Sequence, residues 1–193
     1  MPRLLTERLT IRPFVIADGP DVERLAGARL VADTTLTIPH PYPSGGGATW
    51  IATHADAWNR GIGFTLAICY RDDSERLLGA ISLQVAQAHR HGELGYWIAS
   101  DCWGNGYATE AAQAVTAYAF TELRLHRIQG RHFTRNTASG RVLQKVGMHS
   151  EGIHRDAYLR WGQFEDVAVY AILASEWELG NVDPIALSSR GHR

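Results

Sequence analysis

Residues 93–112, ELGYWIASDCWGNGYATEAA, constrain this chain more than any other stretch. A strand candidate runs into a loop holding Gly104 and Gly106, and the loop runs into the start of a helix. The two glycines remove side chains where backbone N–H groups would converge. The first-turn N–H groups of a helix lack internal partners, so with the helix dipole they suit a phosphate or a diphosphate. The simpler alternative is a tight turn that binds nothing. GxxxxGK[ST] does not occur here, which argues against a P-loop NTPase. A third glycine is missing and the unit follows a β-meander, which argues against a dinucleotide-binding fold. A diphosphate ligand of another kind remains.

Periodicity elsewhere places this unit in a mixed sheet. Residues 8–14 alternate as a half-buried strand, and Asp18 opens a helical pattern through Val22, Leu25 and Ala26. Residues 39–47, PHPYPSGGG, hold three prolines and three glycines and read as a mobile loop. A helix is expected over 48–59, strands over 64–70, 78–85 and 93–98, and a helix from about Ala108. A strand over 126–133 follows. Asn136 then reads as the N-cap of a helix over 137–146 that Gly147 stops. Residues 156–173 read as a hairpin turning at Trp161-Gly162. The expected class is α/β (α+β), with helices laid on a mixed sheet. The expected organisation is one domain over 1–178 and a loose tail over 179–193.

Charge and cysteine content narrow the function classes. Lys plus Arg is 19 against 20 for Asp plus Glu, so the footprint of a nucleic-acid binder is missing. The two cysteines, Cys69 and Cys102, read as reduced thiols in a cytoplasmic protein. Neither a signal peptide nor an 18-residue apolar span is legible. The nine histidines show no HExxH or clustered Cys/His spacing, so no metal is expected. Cys102 stands beside Asp101, which disfavours a thiolate nucleophile. The ASG at 138–140 is not the elbow that a serine hydrolase needs. The six tryptophans are compatible with a monomer or a homodimer.

ELGYWI followed by WGNGYATEA resembles the acetyl-CoA-binding core of the GNAT N-acetyltransferase superfamily. TERLTIRPF at 6–14, LHRIQGRHFTRNTASGRVLQKVGM at 125–148, EGIHRDAYLRWGQFEDV at 151–167 and YAILASEW at 170–177 extend the resemblance towards the branch that acetylates ribosomal-protein N-termini. Trp103 stands where the superfamily loop usually has Arg or Gln. The resemblance implies a twisted, mostly antiparallel sheet with a splayed central strand pair. It implies acetyl-CoA as cosubstrate, held by Trp103, Gly104, Asn105, Gly106, Tyr107, Ala108 and Thr109. Tyr96, Trp97 and Ile98 would pair with the pantetheine arm as an added strand, and the amide of Trp97 or Ile98 would face the thioester carbonyl. For the side chains of Tyr96 and Trp97, core packing is the simpler reading.

The resemblance also implies that Asn136 reaches pantetheine and that Ser139 protonates the leaving thiolate, with a water or Tyr158 as rival acids. Glu93 is the candidate base, or else an ion-pair partner of an Arg or His on the adjacent strand. An α-amino group, with pKa about 8, asks less of a base than a lysine at about 10.4. The expected acceptor is a primary amine, first of all a protein N-terminus. A small antibiotic or polyamine amine is the alternative within the class, and an acyl-CoA sensor without turnover the alternative outside it. The loop at 39–47 and the hairpin near 158–166 would wall the acceptor site.

Overall fold

The computed structural model describes residues 1–177. The expected tail over 179–193 lies outside the described residues. Eight strands form one sheet in the order β1-β2-β3-β4-β5-β6-β8-β7. They are β1 (Leu4–Leu5), β2 (Leu9–Pro13), β3 (Gly63–Tyr70), β4 (Leu77–Ala86), β5 (His91–Ile98), β6 (Arg127–Phe133), β7 (His149–Arg160) and β8 (Gln163–Leu173). Helices α1 (Gly19–Ala26), α2 (Arg29–Asp33), α3 (Gly46–Ala52) and α4 (His54–Asn59) lie between β2 and β3. Helix α5 (Tyr107–Thr121) joins β5 to β6, and α6 (Thr137–Lys145) joins β6 to β7.

Side-chain alternation along the strands builds a core on each face. Leu66, Ile68, Ile81, Leu83, Leu94 and Ile98 pack against Ala111, Ala112 and Val115 of α5 and Leu143 of α6. Ala67, Cys69, Ala80 and Trp97 face the other way, against Val22 and Ala26 of α1 and Ile51 of α3. Small alanines on the helix side let α5 lie close to the sheet.

All neighbouring strands are antiparallel except β5 and β6. That parallel ladder runs from His91↔Arg127 only to Leu94↔Gly130. Beyond it β5 stays paired with β4 through Ile98, and β6 with β8 through Phe133. The two strands therefore diverge, leaving unpaired backbone edges on both sides of a wedge.

Several sequence boundaries move. The glycine-rich loop gives way to helix at Gly46, because a glycine at 47 lets α3 press on α1: a Cβ there would lie 2.2 Å from the carbonyl oxygen of Gly19. The helix expected over 48–59 divides at Thr53 into α3 and α4. The final hairpin starts at His149 rather than 156, since the first half of β7 is exposed and shows no alternation. Strand β1 and helix α2 are too short to leave a periodic signal.

Candidate active site

The glycine loop bends as its residue types require. Gly104 and Gly106 have φ of 79° and 82°, in the left-handed region that side chains avoid. Gly106 is the N-cap of α5. The backbone N–H groups of Gly104, Asn105, Gly106, Tyr107, Ala108 and Thr109 donate to no acceptor among the described residues. The loop is braced from behind. The Arg8 guanidinium donates to the Asn105 carbonyl at 2.9 Å and to Glu110 at 2.7 Å, and lies over the Tyr107 ring at 4.9 Å. Burial opposes ionisation of Glu110, but hydrogen bonds from Thr6 and Arg8 outweigh it and hold that carboxyl below its usual range. Trp103 pins the other end, its indole N–H donating to the Ile98 carbonyl at 2.7 Å.

Alternation of the β5 backbone settles which amides face the wedge. The Ala99 N–H donates to Leu78 at 2.8 Å on the β4 side, so Trp97, two residues back, also turns to β4. Tyr96 and Ile98 turn the other way, into the wedge. The Trp97 side chain is buried in the core beside α1 and α3.

The two faces of the wedge carry different chemistry. On the α6 face, Asn136 caps the helix by accepting from the Ser139 N–H at 3.2 Å. The Tyr96 hydroxyl lies 2.8 Å from Ser139 Oγ and donates to the Ser139 carbonyl at 3.1 Å. Burial raises the Tyr96 phenol above its ordinary value, so it stays protonated. On the opposite face, Glu93 accepts from Arg131 Nε at 3.0 Å and from Gln129 at 2.7 Å. Arg131 also donates to the Tyr158 hydroxyl at 2.9 Å. The Glu93 hydrogen bond is the first cause holding the Arg131 guanidinium above its usual range. Sequence reasoning missed Gln129 and Arg131. The register Glu93↔Gln129 sets them beside the carboxylate, and nothing in the local sequence signals that register.

Loop, wedge and both polar clusters line one cleft of about 1610 Å³. Trp103, Gly104, Gly106, Tyr107, Ala108, Thr109, Asn136 and Ser139 border it, as do Glu93, Arg131 and Tyr158. Asn105 does not; its side chain donates back to the carbonyls of Cys102 and Trp103. Among the described residues lining the cleft, Glu93 is the single carboxylate. No group of three or more metal-binding side chains occurs among the described residues.

The chain matches the Acetyltransferase (GNAT) domain over residues 8–149. It belongs to the GNAT acetyltransferase family. Among its relatives is the uncharacterized N-acetyltransferase YoaA of Bacillus subtilis, 40% identical over 104 residues. That match takes in 53% of this chain and 59% of the relative, so the chain spans little more than half the length of such relatives. The ribosomal protein uS5-alanine N-acetyltransferase of Escherichia coli is 29% identical over 186 residues, covering 92% of this chain and 94% of that one. The crystal structure of a GNAT-family acetyltransferase from Bacillus anthracis superposes with a TM-score of 0.79 at 26% identity. It covers 90% of this chain and 99% of that chain.

The cleft also reaches His54 on α4, which is 5% exposed and packed between Trp50, at 4.4 Å between ring centroids, and Phe14, at 5.5 Å. Burial drives its pKa down to about 4, so the ring is neutral. Between pH 6.5 and 4 the unfolded chain takes up a proton here that the folded chain refuses. Stability is therefore complete above about 6.5 and falls as pH drops to about 4, by about 3 kcal/mol from this group. Replacing His54 with Phe, which suits the aromatic surroundings, should flatten that acid-side loss. Denaturant melts of both proteins at pH 7 and pH 4 check it: the difference between them should shift in the variant's favour on acidification.

Proposed function

We propose that the chain is an acetyl-CoA-dependent N-acetyltransferase that moves the acetyl group directly to a protein N-terminal α-amino group. The observation that carries the reading is the wedge itself. A carboxylate network borders one face, a hydroxyl pair borders the other, and the unpartnered amides of the loop lie at its end. The amides from Gly104 to Thr109 would bind the coenzyme's diphosphate, with Arg8 and Glu110 fixing their directions. The exposed edge of β5 at Tyr96 and Ile98 would pair with the pantetheine arm.

Each step then falls to a residue of this chain. Glu93, acting directly or through a water, accepts a proton from the acceptor amine as its nitrogen bonds to the acetyl carbonyl carbon. The Ile98 amide donates to the oxygen on which negative charge develops. The C–S bond breaks, and Ser139 gives its hydroxyl proton to the departing thiolate. The Tyr96 hydroxyl, 2.8 Å from Ser139 Oγ, orients that donor, and water entering the open cleft returns the proton to Ser139. Tyr158 stands on the Glu93 side, held by Arg131, and so serves the acceptor rather than the thiolate. Ser139→Ala should lower kcat about 100-fold, the scale of general acid catalysis, with little change in either KM.

Two features favour a peptide α-amine over a polycationic amine. Among the described residues lining the cleft, the single carboxylate is already paired with Arg131, so none is left to hold further ammonium groups. The uS5-alanine relative runs along nearly the whole chain. The deciding experiment is CoA release over a panel of peptides, spermidine and an aminoglycoside, with the acetyl group located by mass spectrometry. Acetylation at peptide N-termini is the expected result. Turnover confined to the polyamine or the aminoglycoside would overturn the acceptor. Acetyl-CoA binding without release for any amine would instead favour the sensor.

A further inference from the structure

Strand β7 ends in two residues on the same side, Tyr158 and Arg160. Tyr158 accepts from Arg131, inside the Glu93 network. Arg160 reaches the opposite way, across more than 120 residues of sequence, to the last turn of α2 and the segment that follows it. Its Nη1 donates to the Leu36 carbonyl at 3.1 Å, and its Nη2 donates to the carbonyls of Ala32 and Ile38, each at 2.7 Å. The guanidinium lies 4.4 Å from the Trp161 ring centroid, and Arg29 lies over the same ring at 5.2 Å. One side chain thus gathers three carbonyls of a seven-residue run. Neutral donors would hold such carbonyls about half as strongly as a charged fork does.

The run that Arg160 gathers is a wall of the cleft. Thr34, Leu36, Ile38 and Tyr42 line it, as Glu93 and Tyr158 do. A second arginine reinforces the tie: Arg135, after β6, donates to the Asp33 carbonyl and carboxylate at 2.7 Å and to Glu165 at 2.9 Å. These charged bonds hold the residues that lead into the proline-rich segment at 39–47, which composition alone reads as mobile.

We infer that Arg160 is a positioning residue for the amine acceptor: it sets the wall at 32–38 against the hairpin that carries Tyr158, and so fixes the acceptor's approach to Glu93. This rests on the acetyltransferase reading of the cleft. The cofactor loop lies on other elements and does not share the tie. Lysine cannot replace the arginine, because one ammonium lacks the planar fork that spans three carbonyls and the flat face that stacks on Trp161.

Arg160→Gln and Arg160→Lys, compared with the unmodified chain, test the inference through steady-state kinetics on an N-terminal peptide and amide hydrogen exchange. Both variants should raise the KM for the peptide about tenfold or more. The KM for acetyl-CoA and kcat should stay within about twofold, and exchange should quicken at 32–40 but not at 104–109. The lysine variant must fail to rescue. A peptide KM that does not change, or an acetyl-CoA KM that rises in step with it, would overturn the inference while leaving the enzyme reading intact. So would exchange at 32–40 that does not change. An unmodified chain that turns over no amine would overturn the enzyme reading, and the acceptor role with it.

Discussion

Replacing Gly106 with valine should raise the KM for acetyl-CoA about 100-fold while changing kcat little. The residue sits at φ 82° as the N-cap of α5, and a β-branched side chain cannot hold that conformation without about 1–2 kcal/mol of strain. The loop relieves the strain by rotating its peptide planes, which turns the neighbouring amides away from the diphosphate. Hydrogen bonds to charged groups contribute about 1.5–3 kcal/mol each, so misdirecting two of them costs about 3 kcal/mol, roughly two factors of ten. The fold should survive, because a Cβ at Gly106 meets only the end of the Arg8 side chain, at 3.4 Å. Titration with acetyl-CoA by calorimetry, alongside a thermal melt, checks both halves. Full affinity in a folded Gly106→Val protein would remove the loop from the coenzyme site.

Glu93→Gln should lower kcat about 100-fold at neutral pH, within the range of general base catalysis. The deficit should widen as pH falls. An α-amino group with pKa about 8 is then mostly protonated, and the step that Glu93 assists carries more of the flux. The glutamine keeps the shape of the carboxylate, and its one carbonyl oxygen can still accept from Gln129 and from Arg131 Nη2, so the strand pair should stay intact. The rate–pH profiles of the two proteins decide the matter. A constant ratio across the profile would leave Glu93 as a structural anchor for Arg131.

Local chemistry made much of this molecule legible from its sequence. Asn136 announced α6 because a side-chain oxygen before a helical stripe has one economical use, and Gly104 with Gly106 announced the turn because only glycine takes positive φ freely. Pairings between distant segments were not legible. Glu93 offered either a base or an ion-pair partner, and the ion pair with Arg131 appears only once the parallel register is set. The ties of Arg160 left no signal, since nothing near it in sequence names carbonyls 120 residues away. The break at Thr53 was hidden because the apolar stripe of Trp50, Ile51, His54 and Trp58 continues across it.

The seam between β5 and β6 has a mechanical consequence. Four residue pairs join these strands, against eight between β4 and β5 and seven between β6 and β8. The sheet is thus two plates sharing a short hinge line, with α5 and α6 packed behind it. A guest lodged in the opening would act as a spline between the plates, so occupancy and rigidity of the whole body would rise and fall together.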